Sequence, residues 1–151
     1  AVLPLLVVLQ VLNVALLVRM VALHGFWSVD TFVGWVLVGV NSGYSAIVVA
    51  HELIHRADRR WQLLGRLLLC TVLYEHFFTE HVRGHHLRVG TPDDPATARF
   101  GETAFAFLRR TVPAQFRSAW RLEKKRLGDA DMPWYDSRML RNRVLHGLLV
   151  E

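Results

Sequence analysis

Two apolar runs open the chain, and the histidine-rich segment joined to the second of them limits the possible folds most. Ala1 to Leu23 is apolar apart from Gln10, Asn13 and Arg19, and Thr31 to Ala50 carries no charge. A bilayer core about 30 Å thick needs about 20 helical residues, so each run is long enough to cross once. The second run leads directly into His51-Glu-Leu-Ile-His55, and a second cluster, Glu80-His-Val-Arg-Gly-His-His86, comes after one further apolar stretch. Six of the eight histidines lie between His51 and His86. A chain that gathers them must return to the same face of the membrane between the two clusters.

His51 and His55 are four apart, as are His81 and His85. On an α-helix that spacing puts both imidazoles on one face, one turn apart, so each pair is able to chelate a cation. His86 is expected to point away from that face toward a neighbouring site. The pattern suits two metals in a shared nest of imidazoles better than one. A histidine taken singly reads as a satisfied polar group in a helix bundle, but that reading does not account for five at these spacings.

Charge places the clusters relative to the membrane. Arg19, near the end of the first run, is the only Lys or Arg before Arg56, and the other seventeen lie between Arg56 and Arg143. With a net charge of +5 on a chain that is 52% hydrophobic, this is the pattern of a membrane protein with one basic, cytoplasmic face. The loop from His24 to Asp30, with Phe26 and Trp27 and no cation, is then a non-cytoplasmic turn, and His24 is no ligand. Nucleic-acid binding is set aside, because the basic segment carries no recognition motif and is fused to apolar spans. A single cysteine, Cys70, excludes an internal disulfide framework and reads as a buried small residue.

Trp61 to Phe78 has an uninterrupted apolar core of only Leu67 to Leu73, with Arg66, Glu75 and His76 around it. A full crossing here would separate His55 from His81, so the stretch is read as a re-entrant or interfacial element. Gly90 to Pro95 ends the helix of the second cluster, and Asp94-Pro95 reads as an N-cap with proline at the first helical position. Thr111 to Pro113 suggests another restart. From Pro113 to Leu127 one side carries Phe116, Ala119, Trp120 and Leu127 and the other Arg117, Arg121, Lys124 and Lys125, an amphipathic helix suited to an anionic membrane surface. Gly34, Gly39, Ser42, Gly43, Ser45 and Ala46 make the second run rich in small residues, which permits close helix packing or room for a slender apolar substrate. The expected fold is all-α: an integral membrane helical bundle with two full spans (1–23 and 31–50), a re-entrant or interfacial helical element, cytoplasmic helices, and the start of another span at 144–151.

His-Glu-x-x-His on a helix is also the signature of a zinc metalloprotease, with Glu52 as general base. A catalytic zinc uses three protein ligands and keeps one open position, so five histidines exceed its needs. Imidazole suits iron as well, and two iron centres would use all five.

HELIHR, EHVRGHH and TPDDPATAR, followed by a Gly-Glu pair and FAFLRRTVPAQFRSAWRLEKKRL, resemble the integral-membrane alkane 1-monooxygenases. These belong to the superfamily of histidine-box membrane hydroxylases and desaturases. The resemblance covers His51 to Leu127, and the runs before it match in character alone. It implies a non-haem di-iron site that uses O2 to hydroxylate the terminal methyl of a medium-chain alkane. It also implies electrons delivered from NADH through rubredoxin reductase and rubredoxin. His51 and His55 match the first histidine box, and His81, His85 and His86 the second. His76 matches a histidine usual just before that box and is given a supporting role. Glu52 and Glu80 would orient imidazoles by accepting the proton of the non-ligating nitrogen, and Asp93 and Asp94 are further candidates for that task. The implied location is the inner membrane of a bacterium, with the site facing the cytoplasm.

On this reading 1–151 is one incomplete hydroxylase domain whose catalytic segment is 51–143. Two further histidine motifs of the family are missing, His146 replaces neither, and the stretch alone is expected to be inactive, an internal piece of a longer protein. The motifs point to oxygen activation more firmly than to a substrate, so a xylene-type methyl monooxygenase and a fatty acyl desaturase stay open beside the alkane reading. The membrane zinc metalloprotease is the alternative of a different class. The alkane would enter from the bilayer. The basic face from Arg83 to Arg143 would receive an acidic electron carrier, with complementary charge acting mainly on the association rate.

Overall fold

The computed structural model describes residues 2–150. Ala1 and Glu151, the outer bounds of the first and last expected segments, lie outside the described residues. Among the described residues there are helices, turns and loops but no strand. The chain divides into two compact units, Ala1–Leu73 and Tyr74–Glu151.

In the first unit α1 (Val2–His24) is followed by a longer helical stretch, Val29–Ile54. The latter consists of α2 (Val29–Ser42), a π-helical segment (Gly43–Val48) and α3 (Val49–Ile54). Ser28 caps α2 by accepting the N–H of Thr31 at 3.1 Å. Both helical stretches are long and apolar enough to cross a membrane. Leu5, Val8, Leu12 and Leu16 on the first, and Phe32, Val36, Leu37 and Val40 on the second, face outward. Apolar surface on this scale suits lipid rather than water.

Gln10, one of the three polar residues of the first run, is fully buried. Its Nε2 donates to Ser42 Oγ at 3.0 Å and to Thr71 Oγ1 at 3.2 Å, and its Oε1 accepts from Ser45 Oγ at 2.6 Å. An amide in apolar surroundings must find such partners, and these tie α1 to the π segment and to the end of α4. The small residues of the second run divide by role. A Cβ on Gly34 would meet Met20 Sδ and Cε at 3.1 Å, so α1 and α2 pack closely there, whereas Gly39 and Gly43 have nothing within 4 Å.

The helix α4 (Arg59–Cys70) is capped by Asp58, which accepts from Arg60 N at 2.8 Å. It packs on α3 through Gly65, where a Cβ would lie 2.9 Å from Ile54 Cγ2 and 3.0 Å from Ala50 O. Its twelve residues reach about 18 Å, short of a crossing. The single element expected over Trp61 to Phe78 is broken after Cys70. Thr71 Oγ1 donates to Leu68 O at 2.6 Å, and Leu73 adopts a left-handed φ of 55°.

The second unit is built on α7 (Ala104–Arg126), packed against α5 (His76–Glu80) and α8 (Arg143–Val150). A second π segment (His81–His85) and a short α6 (His86–Arg88) continue α5. Two expectations are corrected here. No helix starts at Pro95: Asp94 accepts from Ala96 N at 3.1 Å, as a cap would, but the carboxylate also holds Thr97 and His85, and the segment stays a turn. The helix begins instead at Ala104, capped by Thr103 Oγ1.

Nor does the chain restart at Pro113, which lies inside α7. An interior proline costs about 3 kcal/mol. Pro113 is on the exposed side, and the buried stripe Thr111, Gln115, Ala119 and Glu123 runs past it unbroken. That stripe is mostly polar and fully engaged. Thr111 Oγ1 donates to Pro95 O at 3.0 Å, Gln115 accepts from Tyr74 OH, and Glu123 accepts from Arg126 and from Arg143 N. Gly147 of α8 comes down on Glu75, where a Cβ would stand 2.7 Å from the carboxylate.

Candidate metal centre

The first candidate pair stands at the end of the second long apolar helix. His51 and His55 bring their Nε2 atoms to 3.3 Å, and both rings are exposed. Glu52 pairs with Arg56 at 2.7 Å, also in the open. Neutral imidazole nitrogens this close can share only one proton, so one of the two presents a lone pair to the other or to a bound cation.

The second group is shaped by the π segment. Over His81–His85 the helix is wound more widely than α, and in such a turn residues i and i+5 share a face. His81 Nε2 and His86 Nε2 therefore meet at 3.2 Å, while the His81 and His85 rings stack with centroids 5.3 Å apart. This corrects the expected orientation of His86, which faces His81 rather than turning away from it. The α-helical spacing rule fails because the turn is not α-helical.

Asp94, 3% exposed, faces His85 Nδ1 at 2.9 Å. Burial alone would raise the Asp94 pKa, but hydrogen bonds from Thr97, Ala96 and His85 outweigh it and hold the carboxyl below its ordinary value. An ionised carboxylate there fixes the proton on Nδ1 and leaves Nε2 to ligate. The described partner of Glu80 is an arginine: Oε1 accepts from Arg88 at 2.7 Å, and Arg88 also donates to Ser118 at 2.9 Å. Burial dominates and raises the Glu80 pKa, against the lowering influence of Ser118 and Arg88.

Gly84 makes the Glu80–Arg88 pair possible. A Cβ at that position would lie 2.6 Å from both Glu80 oxygens and 2.5 Å from Arg88 Nη2. The glycine of the second motif is thus the opening through which a buried ion pair crosses the π turn. Arg88 and Ser118 are not candidates on sequence grounds. The clue in the sequence is the Glu80/Arg88 spacing of eight, which places both on one side of two helical turns.

His76 is buried against Tyr74 and Phe116, with ring centroids at 4.7 and 5.3 Å. Burial lowers its pKa to about 4, so it is neutral at pH 7, and its Nε2 has no hydrogen-bond partner among the described residues. Asp93 is exposed in the turn, and His146 Nε2 lies 2.6 Å from Leu140 O.

Paired Nε2 atoms, with a carboxylate behind one ring, fit a divalent metal that accepts nitrogen donors, iron and zinc included. Each unit carries histidines whose geometry suits part of a ligand set.

The sequence model of the fatty acid desaturase family matches residues 26–149. The chain is 46% identical to alkane 1-monooxygenase 1 of Pseudomonas aeruginosa over 66% of its length and 26% of that protein. It is 40% identical to alkane 1-monooxygenase 2 of the same organism over 83% of its length and 36% of that protein. A more distant relative is the xylene/toluene monooxygenase hydroxylase component of Pseudomonas putida, 30% identical over 62% of the chain and 26% of the relative. The chain thus spans about a quarter to a third of the curated relatives it matches.

Proposed function

The chain belongs to the fatty acid desaturase family, in its alkane monooxygenase branch, and from that membership we propose that the complete protein is a membrane monooxygenase converting the terminal methyl of a medium-chain alkane to a 1-alkanol. The reaction consumes O2, two electrons and two protons and releases water. We assign the electrons to rubredoxin, reduced from NADH by rubredoxin reductase. The site is assigned to the cytoplasmic face of a bacterial inner membrane, because Arg56, Arg59 and Arg60 come directly after the second span.

The observation that carries this reading is the convergence of His81 and His86 at 3.2 Å beside a carboxylate-held His85, in a chain 40–46% identical to alkane 1-monooxygenases. An unactivated methyl offers no acid proton and no leaving group, so acid/base or nucleophilic chemistry has nothing to act on. Two iron ions held in part by His51, His55, His81, His85 and His86 would supply the O2 activation. The chain's own residues prepare for this. Asp94 keeps the His85 proton on Nδ1, and the Glu80–Arg88 pair braces the turn that carries His81 and His86. Glu52 stands on the same helix as the first pair. The outward apolar faces of α1 and α2 suit a substrate that arrives dissolved in lipid.

The test is a product assay on the complete protein in membranes, given NADH, rubredoxin reductase, rubredoxin, 18O2 and n-alkanes of graded length. Singly labelled 1-alkanol is expected. Similarity to the xylene/toluene enzyme favours a second reading, attack on an aromatic methyl, and a benzylic alcohol formed in preference to 1-alkanol would establish it. A new double bond would make the protein a desaturase. One zinc per chain, with peptide cleavage lost on Glu52→Ala, would replace the oxygenase reading altogether.

A further inference from the structure

Five of the eleven arginines of the second unit stand beside a carboxylate. Arg88 pairs with Glu80, Arg110 with Glu102, Arg126 with Glu123 and Arg138 with Asp136, each at 2.7 or 2.8 Å, and Arg83 lies 3.6 Å from Glu123. Arg117, Arg121 and Lys124 have no such carboxylate among the described residues. Spaced i, i+4 and i+7 on α7, they stand together on one side of the helix. They line a single groove of about 450 Å³, whose apolar wall is Phe116 and Trp120 of α7 with Leu148 of α8. Leu148 is 45% exposed, so the apolar wall opens outward.

Three cations without an ion-pair partner among the described residues, beside a recessed aromatic and aliphatic wall, match an amphiphile with an anionic head. A tryptophan flanked by basic side chains is also the pairing found where protein meets the headgroup layer. Asp131 stands on the rim of the same groove. It leaves the site cationic while offering an acceptor for a headgroup hydroxyl.

We propose that the groove between α7 and α8 binds a single anionic, hydroxylated phospholipid of the phosphatidylglycerol type. The phosphodiester lies among Arg117, Arg121 and Lys124, the first part of an acyl chain lies against Phe116, Trp120 and Leu148, and a glycerol hydroxyl donates to Asp131. An acidic protein partner fits the same charges less well. The cations border a concavity sized for a small molecule, whereas a specific protein contact needs about 800 Å² of complementary surface on each side. Lys125, exposed beside the groove, is not part of the site.

The test uses the complete protein, delipidated in a zwitterionic detergent and titrated with phosphatidylglycerol. Retained lipid is counted by native mass spectrometry and stabilisation is followed by thermal melting. Each basic side chain near an anionic surface contributes about fivefold in binding, so the Arg117→Gln/Arg121→Gln/Lys124→Gln variant should bind on the order of a hundredfold more weakly. Arg59→Gln/Arg60→Gln, which changes cations outside the groove, should bind as wild type. Should the triple variant fail to fold, Arg121→Gln alone decides, with a loss of about fivefold expected.

Equal stabilisation by phosphatidylcholine or phosphatidylethanolamine would overturn the proposal, because the groove would then be an apolar sink indifferent to net charge. Equal stabilisation by inorganic phosphate would overturn it in favour of a free-anion site. Wild-type lipid retention in the triple variant, with loss of salt-dependent reduction by an acidic electron carrier, would overturn it in favour of a protein partner. Alkane turnover is not the readout, so failure of this proposal and failure of the proposed reaction remain distinguishable.

Discussion

His81 and His86 hold their Nε2 atoms 3.2 Å apart across five residues of sequence, a meeting that the wide turn between them produces. If these atoms ligate, His81→Ala and His86→Ala in the complete protein should each lose most of the bound iron, measured by elemental analysis of purified protein. His146→Ala, which alters a ring held by Leu140 O, should keep it. Full iron in His86→Ala would remove that residue from the ligand set.

Asp94 acts on the metal through His85. Asp94→Asn preserves shape but replaces the ionised acceptor at Nδ1, and partners of this kind change metal affinity by about 10–100-fold. Competition with a chelator should show that loss. Thermal stability of the metal-free variant reports separately on the turn that Asp94 also holds through Thr97 and Ala96.

Gly84→Ala places a methyl 2.6 Å from the Glu80 carboxylate and 2.5 Å from Arg88. The ion pair or the π turn must give way, at a cost of about 1–3 kcal/mol. A lower melting temperature with less bound iron is expected. An unchanged melt would mean that the pair swings aside freely and does not brace the turn.

The turn after the second histidine cluster is fastened by Arg110, which donates to Glu102 at 2.7 Å and to the carbonyls of Pro95 and Thr97. The Arg110 hydrogen bond, foremost, lowers the Glu102 pKa from 4.5 to about 2. A depressed acid stabilises the fold above its ordinary pKa and ceases to do so as pH falls through its folded value. Comparing melts of wild type and Glu102→Gln, the advantage of wild type should be constant above about pH 5 and shrink between 4.5 and about 2. An advantage independent of pH would assign it to packing.

How far these features are legible in the sequence varies with their physical origin. Hydropathy places both long helices, because twenty-odd apolar residues in succession have few other folds. The histidine spacing singles out the candidate ligands. The π segments leave no local mark, since a wider turn differs from α only in which carbonyl each N–H reaches, and packing decides that. Hence α-helical spacing puts His86 on the wrong side. Pro113 looks like a break because the local rule is strong, and the stripe through Thr111 and Gln115 overrides it. Asp94 before Pro95 looks like a cap and does accept a backbone N–H, so its contact with His85 cannot be separated from capping without coordinates. Gln10 stands out as polar in an apolar run, but its partners, Ser42, Ser45 and Thr71, lie far along the chain.

The proline inside α7 bears on how that helix is made. Ala104–Val112 and Pro113–Arg126 are each at or below the ~12–15 residues at which an isolated helix becomes even marginal in water, and the missing N–H weakens the joint between them. Neither half has the means to nucleate the other. Thr111 before the joint and Gln115 after it are anchored to Pro95 and Tyr74, so the surface that α7 docks on acts as its template. Continuity of the helix therefore rests on the turn at Pro95 and on Tyr74 just before α5, and the basic groove that α7 carries depends on the same two contacts.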